Sequence, residues 1–465
     1  MMIFNSVNEL KKGCEGVLEV KGDQVKVLIE ETLRNSLIDS LIFTAAFSAL
    51  PEVKEAASWL IRKSGAALGI LSSSIQSLYE AMGRKEVTGF TVPAINIRAL
   101  TYEAAQAIFR AALKDSVGAV IFEIARSEID YTKQRPIEYT SAVTAAAIKT
   151  GFRGPIFLQG DHFQVNAKKF AADAEKEVKG VKDLIWEALE AGFYNIDVDT
   201  STLVDLSKPT IDEQQKTNFD LAAELTSVIR DLEPAGITVS VGGEIGEVGG
   251  KNSTVEELQA FMDGYLEALK GYGPELKGIS KISVQTGTTH GGVPLADGSV
   301  AKVKLDFETL EKLSEVARSR YGLSGAVQHG ASTLPNEAFD RFPAIGTAEI
   351  HLATGFQNII YDSAHFPADL KDRIYEYLQR EMAGEKKETD TEEQFIYKTR
   401  KKGFGPFKQE LWQLPPETLK QISTELENQF TFLFRKLNVV KTEAVVRKFV
   451  SAVEVPLKAP AALKG

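Results

Sequence analysis

The sequence predicts a (β/α)8 TIM barrel with an N-terminal helical region and a C-terminal helical extension. From about residue 88, short apolar runs alternate with amphipathic stretches, which is the pattern of parallel strands joined by helices. Eight such repeats occupy about 270 residues, which is the size of one barrel. A doubly wound open sheet is the alternative, but it would not require eight repeats or polar residues after nearly every strand.

The predicted strands are short apolar runs, most of which end near a glycine or a polar side chain. The eight runs are 90–96, 119–124, 155–161, 194–199, 237–244, 281–287, 324–329 and 346–353. The intervening stretches carry apolar residues at helical spacing, and examples are 102–113, 181–191, 219–232, 255–269 and 307–321.

Residues 1–80 form a separate predicted unit that is rich in helix formers. Apolar residues recur at mixed spacings of three and four over 25–50 and, after Pro51, over 53–71. The unit contains no histidine, and its acidic residues fit solvated helix faces. We therefore expect a helical cap on the barrel or an oligomerisation element, and a homo-oligomeric protein.

The chain turns strongly polar after the predicted barrel unit, 81–365, which indicates a helical extension over 366–465. A charged stretch at 384–393 precedes a basic stretch at 397–408, and such runs are typical of solvated faces. The final residues, 452–465, contain two prolines and predict a poorly ordered tail.

Composition limits the classes of partner and compartment. Hydrophobic residues make up 43% and charged residues 25% of the 465 positions, which is ordinary for a globular protein. The net charge of -10 argues against a nucleic-acid partner, since phosphate backbones are bound by basic patches. The single cysteine, Cys14, excludes an intramolecular disulfide. With no signal sequence and no apolar run near the ~20 residues that span a bilayer, we expect no membrane partner and a cytoplasmic location.

Three of the five histidines lie just past a predicted strand. His162 follows Gly160 and Asp161, whereas His290 and His329 are each followed by glycine. Catalytic zinc commonly takes three protein ligands and leaves one position open, so these histidines predict a metal site at the barrel mouth. The alternative is that each histidine is an ordinary polar residue at a strand end.

Four motifs occur in an order that resembles the class II, zinc-dependent fructose- and tagatose-bisphosphate aldolases, over roughly residues 75–365. They are Gly-Asp-His at 160–162, Gly-Glu-Ile-Gly at 243–246 followed by Gly-Gly at 249–250, Gly-Thr-Thr-His-Gly at 287–291, and His-Gly-Ala-Ser at 329–332.

The resemblance implies a role for each catalytic position. His162, His290 and His329 match the zinc ligands, and Asp161 matches the acid/base group beside the first ligand. A second-sphere partner of a ligand histidine is the alternative role for Asp161. Two further carboxylates, Asp199 and Glu244, match acidic positions near the metal, where some members hold a second cation.

The resemblance also implies that substrate phosphate binds to backbone N–H groups of the loops after the last strands. The matching residues are Gly291, Gly292, Gly330, Ala331 and Ser332. The alternative is that these glycines serve only tight turns.

Several positions depart from the family pattern. Gln159 stands where the family commonly has another histidine, and Glu349 stands where a lysine is frequent. Lys251, Asn252 and Ser253 replace an acidic residue that takes part in proton transfer. The candidate substrate residues are Asn96, Glu123, Arg126, His351 and Thr354, of which Glu123 and His351 replace the family's usual polar residues.

These features predict reversible aldol cleavage and condensation of a phosphorylated ketose through a metal-stabilised enediolate. A metal-dependent sugar epimerase is the first alternative, because 122–130 and 191–201 resemble the accessory subunits of tagatose-bisphosphate aldolase and related epimerases. A non-catalytic aldolase partner subunit is the second.

Five basic residues of the C-terminal extension could reach a phosphate in the site of their own or of a neighbouring subunit, although an exposed basic face is the favoured interpretation. They are Lys398, Arg400, Lys401, Lys402 and Lys408.

Overall fold

The N-terminal region packs its helices against the helices that surround the barrel in the computed structural model of the protein, which describes residues 2–246, 251–287, 295 and 305–464. Its elements are α1 (Val7–Cys14), β1 (Leu18–Lys21), β2 (Gln24–Val27), α2 (Glu30–Thr32), a π-helical turn (Leu33–Leu37), α3 (Ile38–Phe47), α4 (Pro51–Ala67), β3 (Ile70–Ser72) and α5 (Gln76–Gly83). The helix predicted over 25–50 is therefore wrong at its start, where β1 and β2 form an antiparallel hairpin.

The central part of the chain alternates strands and helices as the hydrophobic pattern predicts. Its strands are β4 (Val92–Asn96), β5 (Ile121–Ala125), β6 (Gly154–Gln164), β7 (Asn195–Asp199), β8 (Ser240–Glu244), β9 (Lys281–Val284), β10 (Ala326–Gln328) and β11 (Glu349–Leu352). Its helices are α6 (Thr101–Asp115), α7 (Arg126–Thr132), α8 (Pro136–Thr150), α9 (Ala167–Ala172), α10 (Ala174–Ala191), α11 (Ile211–Leu232), α12 (Val255–Tyr272), α13 (Phe307–Tyr321), α14 (Arg341–Ala344) and α15 (Thr354–Asp362).

The C-terminal extension is helical, as predicted. Its helices are α16 (Ala368–Glu381), α17 (Glu392–Thr399), α18 (Lys408–Trp412), α19 (Pro416–Lys436) and α20 (Glu443–Phe449), with a 3-10 turn at Arg400–Gly403. No helix in the described part of the chain has the length and hydropathy needed to cross a bilayer.

The eight strands from β4 to β11 pair in parallel and close into a barrel through contacts of β6 with both β5 and β7. This confirms the predicted (β/α)8 fold. Because helices cover the outer face and side chains fill the interior, the strands are buried on both faces, which explains their nearly continuous apolar sequences. The short strand β3 pairs with the beginning of β6 and ties the N-terminal region to the barrel.

Both ends of the chain fold back on the same helix. The indole N–H of Trp59 in α4 donates to the Leu457 carbonyl, and Lys63 pairs with Glu454. The backbone N–H of Ala459 donates to Asp23 beside the N-terminal hairpin. The segment that sequence predicts as a loose tail thus has polar contacts along its length.

The C-terminal extension approaches the barrel closely at Gly405. A Cβ atom built on Gly405 would lie 2.1 Å from the backbone oxygen of Tyr131 in α7. Backbone cannot yield as a flexible side chain can, so only glycine fits at this contact.

We predict that Gly405→Ala lowers the free energy of unfolding by about 1–3 kcal/mol, because the new methyl group overpacks against backbone. Gly384→Ala is the matched control, since a Cβ atom at Gly384 would meet nothing within 4 Å; its effect should stay within about 0.5 kcal/mol. Urea unfolding followed by circular dichroism measures both. Equal effects of the two substitutions would show that the close approach at Gly405 is not real.

Candidate active site

Side chains at or just past the ends of six barrel strands line a cavity of about 400 Å³ at the mouth of the barrel. The predicted site residues among them are Asn96, Glu123, Arg126, Asp161, His162, Glu244, His329, Gly330, Ser332, His351 and Thr354. Two larger surface grooves, of about 810 and 900 Å³, contain neither a histidine nor a buried carboxylate. The mouth is therefore the candidate active site.

Two predicted residues in the described part of the chain do not join that lining. Asp199 lies behind His162 and contacts its ring, whereas Ala331 is fully buried. His290, Gly291 and Gly292 fall outside the described residues, as does the glycine pair at 249–250.

A bulge in β6 brings two consecutive side chains to the cavity. Successive residues of a regular strand point to opposite faces, so Asp161 and His162 could not both face the mouth. The pairing between β6 and β7 shifts between Gly160 and Phe163, where β6 carries one extra residue, and His162 has a left-handed φ of 40°. Bulges of this kind re-aim side chains beside active sites. The motif Gly-Asp-His therefore marks where the bulge lies in the sequence.

Three imidazoles surround the carboxylate of Asp161, which is only 5% exposed. Its Oδ1 atom lies 3.1 Å from His351 Nδ1, 3.8 Å from His162 Nε2 and 4.0 Å from His329 Nδ1. The ring centroids of His162 and His329 are 4.2 Å apart, and those of His329 and His351 are 4.0 Å apart. The predicted acid/base group thus lies at the centre of the histidine cluster.

The outward nitrogens of two of these histidines have polar partners that orient the rings. His162 Nδ1 is 2.9 Å from Asp199 Oδ2 and 3.2 Å from Glu244 Oε2. His329 Nε2 is 3.0 Å from the hydroxyl of Ser283. Ligand histidines generally have such a partner on the nitrogen that faces away from the metal. His162 Nε2 and His329 Nδ1 are consequently the nitrogens turned toward Asp161.

The donor set fits a divalent metal ion. Asp161, His162 and His329 each offer a ligand atom within 4.8 Å of the others, and mixed nitrogen and oxygen donors are typical of zinc. Burial alone would lower the pKa of His162, but the charges of Asp161 and Glu244 and the bond to Asp199 raise it well above its ordinary value. A bound cation would take the place of that proton.

The two carboxylates behind His162 have opposite pKa shifts. Burial alone would raise the pKa of Asp199, but hydrogen bonds from His162, Ser201 and Gln164 outweigh it and lower the pKa. Burial, and then the charge of Asp199, raises the pKa of Glu244 to about 8. Both carboxylates are close enough to His162 to hold a second cation with it.

A buried polar network forms the floor of the site, and it is centred on Glu349. Glu349 Oε1 accepts hydrogen bonds from Lys281 Nζ at 2.5 Å, Gln159 Nε2 at 2.9 Å and His351 Nε2 at 2.6 Å. Glu349 Oε2 accepts a hydrogen bond from the Tyr79 hydroxyl of α5. Burial alone would raise the pKa of Glu349, but Lys281 and His351 lower it to about 2.

Gln159 connects this floor to Glu123. Its Nε2 donates to Glu123 Oε2 at 2.9 Å, because β5 and β6 pair Glu123 directly with Gln159. Glu123 Oε2 is also 3.1 Å from His351 Nδ1. Burial raises the pKa of Glu123 to about 8, with His351 opposing the shift and Asp161 adding to it. The four departures from the family pattern therefore form one ring of contacts, in the order Glu123, Gln159, Glu349 and His351.

Sequence reasoning missed three members of the floor. Lys281 is 1% exposed and also contacts Asp197 at 3.0 Å, and Tyr79 comes from the N-terminal region. A charged residue inside an otherwise apolar strand was the available signal for Lys281, and Asp197 alternates with Asp199 in β7. Nothing in the sequence around Tyr79 indicated its contact.

The rim of the cavity is organised by ion pairs. Arg98 pairs with Glu128 at 2.6 Å and donates to the Thr354 hydroxyl at 3.2 Å. Glu128 also accepts from Asn96 Nδ2 at 2.5 Å. Arg126 donates to Glu177 at 2.6 Å, so its charge is already compensated.

The fold and the site together are those of a TIM barrel with histidines and carboxylates at its C-terminal mouth, the end at which enzymes of this fold carry their active sites. Residues 76–403 match the class-II fructose-bisphosphate aldolase family. The chain belongs to this family, which the motifs at 160–162 and 329–332 indicated.

Three solved structures are similar to this chain. A probable tagatose 6 phosphate kinase from Sinorhizobium meliloti 1021 has 20% identity and a TM-score of 0.51, and the match covers 80% of this chain and 96% of that one. The fructose-bisphosphate aldolase of Campylobacter jejuni has 17% identity and a TM-score of 0.49, covering 80% and 97%. The YdjI aldolase of Escherichia coli K12 has 14% identity and a TM-score of 0.46, covering 80% and 98%.

We predict that Lys281→Met destabilises the protein by about 3–5 kcal/mol, because it leaves the buried carboxylates of Glu349 and Asp197 without their cation. Lys277→Met is the control, since Lys277 forms an ion pair with Glu80 at 3.0 Å and is 60% exposed; it should cost no more than about 1 kcal/mol. Urea unfolding provides the comparison. If Lys281→Met is no more harmful than Lys277→Met, the floor network does not hold the barrel interior together.

Proposed function

We propose that this family member catalyses reversible aldol cleavage and condensation of a phosphorylated ketose, with one zinc ion at the barrel mouth and an enediolate as the intermediate. Family membership supports the aldolase class. The observation that carries the rest is the position of Asp161 Oδ1, 3.1 to 4.0 Å from a ring nitrogen of three histidines in a cavity open to ligand.

His162 and His329 would hold the ion through the nitrogens that face Asp161, with His290 as the third ligand by family resemblance. A bound divalent ion supplies Lewis acidity for the charge that develops on the ketose carbonyl and the adjacent hydroxyl oxygen. Asp199 and Glu244 keep His162 oriented through Nδ1, and they are the proposed location of any second cation.

Asp161 performs the proton transfer in this proposal. Cleavage requires that the hydroxyl on the carbon that becomes the aldehyde lose its proton as the carbon–carbon bond breaks, and Asp161 Oδ1 accepts that proton. In the condensation direction the same oxygen returns the proton. His351 Nδ1, at 3.1 Å, holds the carboxylate in place, while Glu349 holds the opposite side of the His351 ring.

Other parts of the sequence-based interpretation belong to the same proposal. We propose a sugar phosphate as substrate, a cytoplasmic location, a homo-oligomeric state, and a division of the chain near residues 80 and 365. An epimerase would use the same metal and base and return the proton or reclose the bond without releasing a product.

We predict that His329→Ala removes the bound metal, because it deletes an inward-facing nitrogen donor. His365→Ala, at an exposed histidine outside the cavity, should keep the metal. Elemental analysis of the purified proteins gives the metal content per chain. Metal retention by His329→Ala, equal to that of His365→Ala, would exclude His329 as a ligand.

We predict that Asp161→Asn keeps the metal and loses turnover by about 10²–10⁴-fold, as expected for removal of a general acid/base group. Triose release from a panel of ketose phosphates measures the activity. Undiminished cleavage by Asp161→Asn would contradict the proton-transfer role. Inversion of a ketose by the wild-type protein without triose release would favour the epimerase, and no turnover by a metal-free protein would favour the partner subunit.

A further inference from the structure

The basic stretch of the C-terminal extension lies against the barrel mouth, and one of its residues enters the cavity lining. That residue is Lys401, in the 3-10 turn between α17 and α18. The other four basic residues of the stretch have carboxylate partners: Lys398 with Asp390, Arg400 with Asp362, Lys402 with Glu385, and Lys408 with Glu138. Within the described ranges, Lys401 alone of the five forms no ion pair and no hydrogen bond through its ammonium group.

The turn that carries Lys401 is fixed in place by its neighbours. Arg400 is 5% exposed and donates to Asn358 at 2.6 Å and to Asp362 at 2.7 Å, both in α15. The hydroxyl of Tyr361, also in α15, donates to the Arg400 carbonyl at 2.8 Å. Because α15 begins at the barrel mouth, these contacts hold Lys401 at a constant position relative to the site.

The surroundings of Lys401 leave its positive charge poorly compensated. The side chain is partly buried, and its Nζ lies 5.8 Å from the centre of the Tyr131 ring. Burial, and then the charge of Arg98, lowers the pKa of Lys401. Arg98 repels Lys401 more strongly than Glu128 attracts it, and Glu128 also pairs with Arg98 at 2.6 Å. An anion placed beside Lys401 would relieve this imbalance.

The backbone at the same rim favours an anion as well. Helix α15 starts at Thr354; its cap residue, Ala353, makes no side-chain cap, and the Gly355 N–H in the first turn donates to the Ser332 hydroxyl at 3.1 Å. Helix N-termini attract anions through the helix dipole and through backbone N–H groups. Arg98 reaches the Thr354 hydroxyl, so guanidinium and helix N-terminus lie side by side.

The charges of the cavity are therefore divided by depth. The buried carboxylates Glu123, Asp161 and Glu244 lie deep, while Lys401 lies at the rim, where the lining also includes the exposed Asp130 and Lys169. A ligand that suits this layout has an uncharged polyol portion for the floor and an anionic end for the rim.

We propose that Lys401 binds the phosphate group of the ligand at the rim of its own chain's barrel, together with the N-terminus of α15 and Arg98. This inference rests on the proposed function for the identity of the ligand as a phosphorylated sugar. It makes Lys401, from the C-terminal extension, a specificity-determining residue that selects phosphorylated over unphosphorylated ligands.

Isothermal titration of the full-length protein with glycerol 3-phosphate tests the proposal without relying on turnover. We expect Lys401→Met to weaken binding at least tenfold and Lys401→Arg to stay within threefold of the wild type. Lys402→Met is the matched control, because Lys402 lies on the same turn but pairs with Glu385; it should weaken binding less than twofold. Circular dichroism establishes that each variant is folded.

Equal affinities of the wild type and Lys401→Met would overturn the proposal, and so would equal losses in the Lys401→Met and Lys402→Met variants. Titration with glycerate separates phosphate from carboxylate: if glycerate binds more tightly and depends on Lys401, the phosphate assignment is wrong. A wild type that binds glycerol 3-phosphate through Lys401 but cleaves no ketose phosphate contradicts the proposed function alone.

Discussion

The candidate site depends on the hydrogen bonds that the buried carboxylate of Glu349 accepts. This carboxylate lies inside the barrel and accepts hydrogen bonds from side chains of the sixth, third and eighth barrel strands and of the N-terminal region, namely Lys281, Gln159, His351 and Tyr79. Removing one partner of a buried charge lowers the free energy of unfolding far more than replacing the whole network with apolar residues would. This network positions His351 beside Asp161.

The floor network also explains why the departures from the family pattern occur together. An acidic residue at position 349 requires a cation nearby, and Lys281 supplies it from the neighbouring part of the barrel. Gln159 can bridge two carboxylates through one amide, which a histidine in that position would do with different geometry. His351 then links the floor to the proton-transfer group. The substitutions therefore form one alternative arrangement of the barrel interior rather than separate losses of family residues.

The barrel and the residues at its mouth were predictable, because buried parallel strands leave long apolar runs and strand ends bear the polar residues of the site. The bulge at Asp161 and His162 was not, since a single extra residue in β6 leaves no periodic signal. Tyr79 and Lys401 lie far along the chain from the strand ends that form the site, and the basic stretch matched a solvated face by composition. Only the packing of α15 and the turn at Arg400–Gly403 shows which of its charges faces the cavity.

The central claim is that the cluster around Asp161 is a metal centre built on this floor. X-ray diffraction from crystals grown with zinc, recorded on both sides of the zinc absorption edge, tests it most directly. The account predicts an anomalous peak within about 2.0–2.3 Å of His162 Nε2 and His329 Nδ1, with Asp161 beside it. A peak bound instead by Glu123 and His351, or the absence of any peak at the barrel mouth, would contradict it.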